Sequence, residues 1–172
     1  NNLLKLGYNK NIKIVPNGVI TDNTNTKKSW KRTQTILYVG LLRPNKGANI
    51  LLEAVGLLKN QLKGYKIFIA GPDTEGYLKT LKELSIKLNI ENIVYFLGGV
   101  FGKEKWELYK QADIFILPTL NENFGIVIAE ALLSGTPVIT CKGAPWQGIG
   151  EHRCGWWVNR TVKDIANAIN ES

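Results

Sequence analysis

The 172-residue sequence predicts an α/β domain built on a doubly wound parallel sheet. Short β-branched apolar runs recur along the chain, and segments with helical apolar spacing alternate with them. The first of those runs are continuous rather than alternating, as expected of strands covered on both faces.

The elements follow in order. "NIKIVPNGVI" (11–20) reads as a short strand ending in an Asn-Gly turn. The polar stretch "TDNTNTKKSWKRTQ" (21–34) then leads to the sheet, and its Lys27, Lys28, Lys31 and Arg32 read as a solvated loop. The strands of the sheet are "TILYVG" (35–40), "YKIFIAG" (65–71), "NIVYFLGG" (92–99), "ADIFILPT" (112–119), "TPVITCKG" (136–143) and "CGWWV" (154–158). Helical spacing falls at 47–60 (Leu51, Leu52, Val55, Leu58), 74–88 (Leu78, Leu81, Leu84), 103–111 (Trp106, Leu108, Tyr109) and 161–170 (Val162, Ile165, Ala166, Ile169). A further helix is expected from about Phe124, apolar on every side as a helix is when no face meets water. Strand and helix alternating at this spacing imply right-handed crossovers between parallel strands.

Composition narrows the class of partner. Apolar residues make up 44% and charged residues 21%, ordinary for a globular chain. No apolar run approaches the roughly 18 residues of a membrane span. The opening "NNLLKLGYNK" lacks a signal-peptide pattern and resembles the end of a helix, so the chain is expected to begin mid-protein. Twenty-two Lys and Arg against fourteen Asp and Glu give +8, which favours anionic partners. A nucleic-acid binder would need a basic stripe with stacking aromatics. Here the basic residues are scattered, and no nucleic-acid partner is expected. Cys141 and Cys154 lack metal-ligand spacing and read as reduced thiols of a cytosolic protein. His152, the only histidine, reads as structural or exposed, and no Asp or His cluster has the spacing of a metal site.

In a doubly wound sheet, ligands bind outside the carboxyl ends of the strands. Those ends carry Gly40, Gly71, Gly98, Gly99, Pro118, Thr119, Lys142 and Gly143. Such residues suit close approach of backbone to a ligand, although glycines also merely end strands. "GLLRPNKG" (40–47) lacks both the G-x-G-x-x-G of a dinucleotide fold and the spacing of a P-loop. It offers Arg43 and Lys46 at the mouth of a strand, either to hold a diphosphate or as solvated cations on a turn.

"LNENFGIVIAEALLSG" (120–135) carries the strongest signal. The free N–H groups near Phe124 and Gly125 form an anion-binding corner at a helix N-terminus. Glu122 sits beside it, placed to accept from ligand hydroxyls or simply to favour the helix dipole. Glu130 has Ile126, Val127, Leu133 and Ser134 as helical neighbours, so no solvated face is at hand. A buried carboxylate must be hydrogen-bonded or paired. A vicinal diol such as a ribose supplies two donors; a salt bridge to a Lys or Arg from elsewhere is the alternative.

With these residues in view, the chain resembles the retaining glycosyltransferases of the GT-B fold, group 1 or family 4. "ENFGIVIAE" is similar to their E-x7-E signature, supported by "PNGV", "YVGLLRPNKGANILLEA", "IFIAG", "VYFLGGV" and "SGTPVI". The resemblance runs from about residue 12 to 170. It implies a Rossmann-like domain, the C-terminal half of a GT-B fold, at 35–172. Residues 1–20 would be the tail of an N-terminal domain with the interdomain connection, and 21–34 a polar connector.

The resemblance also implies roles. Glu130 would bind the nucleotide ribose, and Glu122 the donor sugar. The backbone at Asn123, Phe124 and Gly125 would approach sugar hydroxyls or phosphate. Lys46 would bind the diphosphate beside Gly40, and backbone near Val100 would meet the base. Many relatives carry an Arg where this chain has Leu41, so Arg43 is a candidate to serve the same phosphates. The donor would be a nucleotide-diphosphate sugar, UDP- or GDP-linked, with no cofactor or metal. The acceptor, a glycan or glycolipid, would be held by an N-terminal domain. The complete enzyme would be cytoplasmic, associated peripherally with an anionic membrane surface, and would serve polysaccharide, lipopolysaccharide or glycolipid synthesis, while this domain alone would be inactive. A non-catalytic nucleotide-binding module is the competing reading.

Overall fold

The computed structural model of the chain describes residues 33–172, together with Lys5, Gly7 and 17–19. Residues 17–19 have no regular structure, and the rest of the strand expected at 11–20 and most of the 21–34 connector lie outside the described residues.

Six strands form one parallel sheet: β1 (Thr35–Val39), β2 (Lys66–Ala70), β3 (Val94–Gly98), β4 (Ile114–Leu117), β5 (Val138–Cys141) and β6 (Gly155–Val158). Their order across the sheet is β3-β2-β1-β4-β5-β6, with all neighbours parallel. The chain therefore winds outward from β1 in one direction, returns, and winds outward from β4 in the other. Each of the six apolar runs has become a strand.

Helices α1 (Ala48–Leu57), α2 (Tyr77–Lys87), α3 (Gly102–Gln111), α4 (Ile126–Leu133), α5 (Gly148–Glu151) and α6 (Val162–Glu171) connect and flank the strands. α1 packs against α2 and α6, and α3 packs against α4. A parallel sheet must be covered on both faces, and that is why β1, β4 and β5 are buried along their whole length. The largest fully buried side chains include Tyr38, Tyr109 and Phe115. α6 begins at a cap: the Asp164 amide donates to Thr161 Oγ1 at 3.0 Å.

Three expectations need correction. β3 is an edge strand whose Tyr95 and Leu97 are exposed, not covered on both faces. α4 starts at Ile126, two residues later than expected, because Gly125 takes a left-handed conformation (φ 77°) that precedes regular helix. Nor is α4 buried all round: Ile126 and Leu133 reach solvent at its two ends. The short helix α5 falls between two of the expected strands, in a segment for which the sequence suggested no element.

The strand-end glycines have a local cause. A Cβ on Gly143 would meet the Leu120 carbonyl oxygen at 1.9 Å, so the loop after β5 lies directly on the loop after β4. There the backbone that comes close is the chain's own. Among the described residues, no helix is long and apolar enough to cross a membrane.

Candidate functional site

β1 and β4 are neighbours from which the chain departs in opposite directions, the switch point where doubly wound sheets bind ligands. The loops leaving these two strands are the two that the sequence singled out. After β1, a 3-10 turn (Pro44–Lys46) precedes Gly47, which takes φ 80°. A Cβ there would lie 2.1 Å from the Pro118 carbonyl oxygen, so the β1 turn is seated against the end of β4. The Leu120 amide donates to the Asn45 carbonyl at 2.8 Å, and the Glu122 amide to the Gly143 carbonyl at 2.9 Å.

This seating brings Lys46 and Glu122 together. Lys46 Nζ lies 2.6 Å from Glu122 Oε1, with both side chains largely covered. Residues separated by 76 positions thus meet across the switch point. Arg43 does not join them: its Nε lies 3.0 Å from Glu75 Oε1, and its Nη2 donates to Thr74 Oγ1 at 3.3 Å. The cation pair read in "GLLRPNKG" is therefore split between two loops.

Glu130 is buried, with 6% of its surface exposed. The structure realises the ion-pair alternative for it. Lys105 Nζ lies 2.6 Å from Oε1, and Tyr109 Oη donates to Oε2 at 3.0 Å. Lys105 and Tyr109 stand four residues apart on α3, hence on one face, and α3 packs against α4. Burial and the adjacent Glu130 push the Tyr109 phenol above its ordinary range, so it stays a donor. Tyr109 is itself fixed: its carbonyl accepts from Thr136 Oγ1 at 2.5 Å, and its ring meets Phe115 edge-on at 5.6 Å.

The other candidates fall around this core. Gly40 follows β1, and its amide donates to the Ala70 carbonyl at 3.0 Å. Asn123 is exposed and Gly125 is the residue before α4. Phe124 packs against Trp146, with ring centroids 5.4 Å apart, and the Trp146 indole N–H donates to the Phe124 carbonyl. Trp146 therefore braces the loop at Phe124. The Val100 side chain is buried, and exposed Phe101 follows it at the start of α3. The Leu41 carbonyl accepts from Tyr38 Oη at 3.0 Å, while burial and the nearby Glu122 raise that phenol. His152 is exposed, one of the two readings it was given.

Sequence reasoning missed three residues here. Lys105 and Tyr109 come from a helix whose only sequence signal was its apolar stripe. Arg160 follows β6 yet ties both loops, its Nε donating to the Pro118 carbonyl at 2.8 Å and its Nη2 to the Pro44 carbonyl at 2.9 Å. No local pattern marks such a strap, because its partners are backbone carbonyls far away in the chain.

Similarity to known proteins agrees with this architecture. The family model for glycosyl transferases group 1 matches residues 20–172. The chain is 33% identical over 132 residues to the D-inositol 3-phosphate glycosyltransferase of Corynebacterium urealyticum, covering 73% of this chain and 31% of that protein. It is 29% identical over 161 residues to an uncharacterized glycosyltransferase of Methanocaldococcus jannaschii, covering 86% of this chain and 40% of that protein. The chain thus spans about two-fifths of these curated relatives or less.

Among solved structures, Anabaena HepE in complex with UDP and glucose superposes with a TM-score of 0.71 at 27% identity, over 81% of this chain and 38% of that one. The C-terminal domain of the group 1 glycosyl transferase LpcC from Francisella tularensis gives a TM-score of 0.74 at 21% identity, over 84% of this chain and 83% of that one, a likeness of fold alone. A match over 20–172 takes in every strand and helix described above, and the chain belongs to the glycosyl transferases group 1 family.

Proposed function

We propose that residues 35–172 are the donor-binding half of a retaining GT-B glycosyltransferase of family 4. The complete enzyme would transfer a sugar from a UDP- or GDP-linked donor to a glycan or glycolipid acceptor held by an N-terminal domain. The observation that carries this reading is the meeting of Lys46 with Glu122 at the switch point, one residue from each of the two loops that flank it. Relatives solved with UDP and with UDP-glucose support a nucleotide-sugar ligand.

The chemistry assigns work to each group. In the transfer, the bond from the anomeric carbon to the diphosphate oxygen breaks and the diphosphate leaves with the electron pair. The acceptor oxygen bonds to that carbon on the same face and passes its proton to the departing diphosphate oxygen. Lys46 neutralises the charge that develops on the leaving diphosphate. The first-turn amides of α4, at Ile126 and Val127, add the positive end of the helix dipole. Freed from Lys46, Glu122 accepts from hydroxyls of the donor sugar, and Glu130 accepts from the ribose. Arg43, paired with Glu75, is a further cation for the phosphates. A cytoplasmic enzyme of surface-polysaccharide, lipopolysaccharide or glycolipid synthesis fits this reading.

Calorimetric titration with UDP-, GDP- and ADP-linked sugars tests it. One base class should bind, and the chain alone should transfer no sugar. K46A should weaken that binding by tenfold or more, roughly the 1.4 kcal/mol of one charge-assisted contact, with an unchanged circular dichroism spectrum. Unchanged affinity in a folded K46A protein overturns the assignment.

A further inference from the structure

Glu130 is a carboxylate with both oxygens already engaged. Lys105 holds Oε1 at 2.6 Å and Tyr109 holds Oε2 at 3.0 Å. The two partners differ in how they are fixed. Tyr109 is fully buried, and its backbone and ring are locked by Thr136 and Phe115. Lys105 stands one turn nearer the start of α3, on the side of the sheet where the switch-point loops emerge, and its side chain keeps 22% of its surface exposed. Tyr109 is a permanent anchor, whereas Lys105 is a flexible ammonium with one side towards solvent.

We propose that Lys105 is a nucleotide-binding residue, which reads the ribose diol jointly with Glu130. The inference rests on the assignment of Glu130 to the ribose. A hydroxyl both donates and accepts. A carboxylate alone answers only the donor half of a diol, leaving its oxygen lone pairs without a partner. An ammonium at 2.6 Å from that carboxylate supplies the missing donor, and an ammonium has three N–H groups, so it contacts a ribose oxygen while keeping Glu130. Tyr109 holds the second carboxylate oxygen, so Glu130 cannot swing away when the diol arrives. Lys105 and Glu130 together therefore form a donor–acceptor couple matched to a vicinal diol. The pair penalises a nucleotide that lacks one hydroxyl twice, once at each member.

The test is the ratio of affinities for UDP and 2′-deoxy-UDP, and likewise GDP and 2′-deoxy-GDP, measured by calorimetry on the chain. The wild-type chain should prefer the ribonucleotide by tenfold or more. K105M should lose most of that preference, weakening UDP by about tenfold and 2′-deoxy-UDP by little. K105M strands a buried carboxylate and is at risk of misfolding. K105R, which keeps the charge with altered geometry, and the K105M/E130Q pair, which removes both charges, provide folded alternatives. K105R should keep part of the preference, and the double variant should have none.

A purely structural role would weaken both nucleotides equally and leave the ratio intact, and that result overturns the proposal. If E130Q impairs UDP binding while the lysine variants keep the wild-type ratio, the proposal falls alone. If the wild-type chain binds no nucleoside diphosphate, the donor-site reading falls with it.

Discussion

Gly47, in the turn of the candidate site, is a position at which one added methyl group carries two separate costs. It combines φ 80° with a neighbouring carbonyl oxygen 2.1 Å from where a Cβ would lie. An alanine there meets backbone strain and a clash with backbone that cannot rotate aside. G47A should cost about 3 kcal/mol, which scanning calorimetry should register as a melting temperature lower by roughly 6–12 °C. Cys141 makes a different point. Burial pushes its thiol up to about 12, from 9.0, while Cys154 is only half-buried. In native protein at pH 8.5, a thiol reagent should modify Cys154 and spare Cys141, with both reacting in urea. The folded thiol keeps its proton longer than the unfolded one. Its stabilising contribution is therefore full below pH 9 and is lost as pH rises towards 12.

At the scale of elements, the carbonyls of Pro44 and Pro118 are held by a side chain that arrives from beyond β6. Arg160 joins the two loops of the candidate site without entering it. R160M removes both hydrogen bonds and leaves the sheet untouched. It should weaken UDP binding roughly tenfold, the factor that 1.4 kcal/mol represents, while far-ultraviolet circular dichroism stays unchanged. Equal affinity in R160M would show that the loops hold their positions without the strap. The elements themselves were legible to different degrees. Apolar runs located all six strands, and those of β1 and β4 are continuous because a strand buried on both faces leaves no polar residue to interrupt it. α4 was misplaced by two residues because Gly125 delays regular helix, a backbone conformation that the neighbouring apolar residues do not reveal. The exposed edge of β3 was missed because strand order decides exposure, and order is a property of the assembled sheet.

Across the whole molecule, the site was legible in its acids and obscure in their partners. Glu122 and Glu130 are conspicuous in an apolar segment, and Glu130 is buried as that setting requires. Lys105 looks like any lysine on a helix that carries several, and only the packing of α3 on α4 distinguishes it. Lys46 and Glu122 have a consequence of their own. Each partly neutralises the other, so a ligand that engages only one of them competes with its partner. Inorganic phosphate would satisfy the lysine and abandon the carboxylate; a free sugar would do the reverse. Either one alone competes with the 2.6 Å ion pair for one member and offers nothing to the other. A molecule that joins an anion to a hydroxylated ring satisfies both at once. On the proposed donor-site reading, the pair would act as a two-key lock, admitting the conjugate and discouraging its halves.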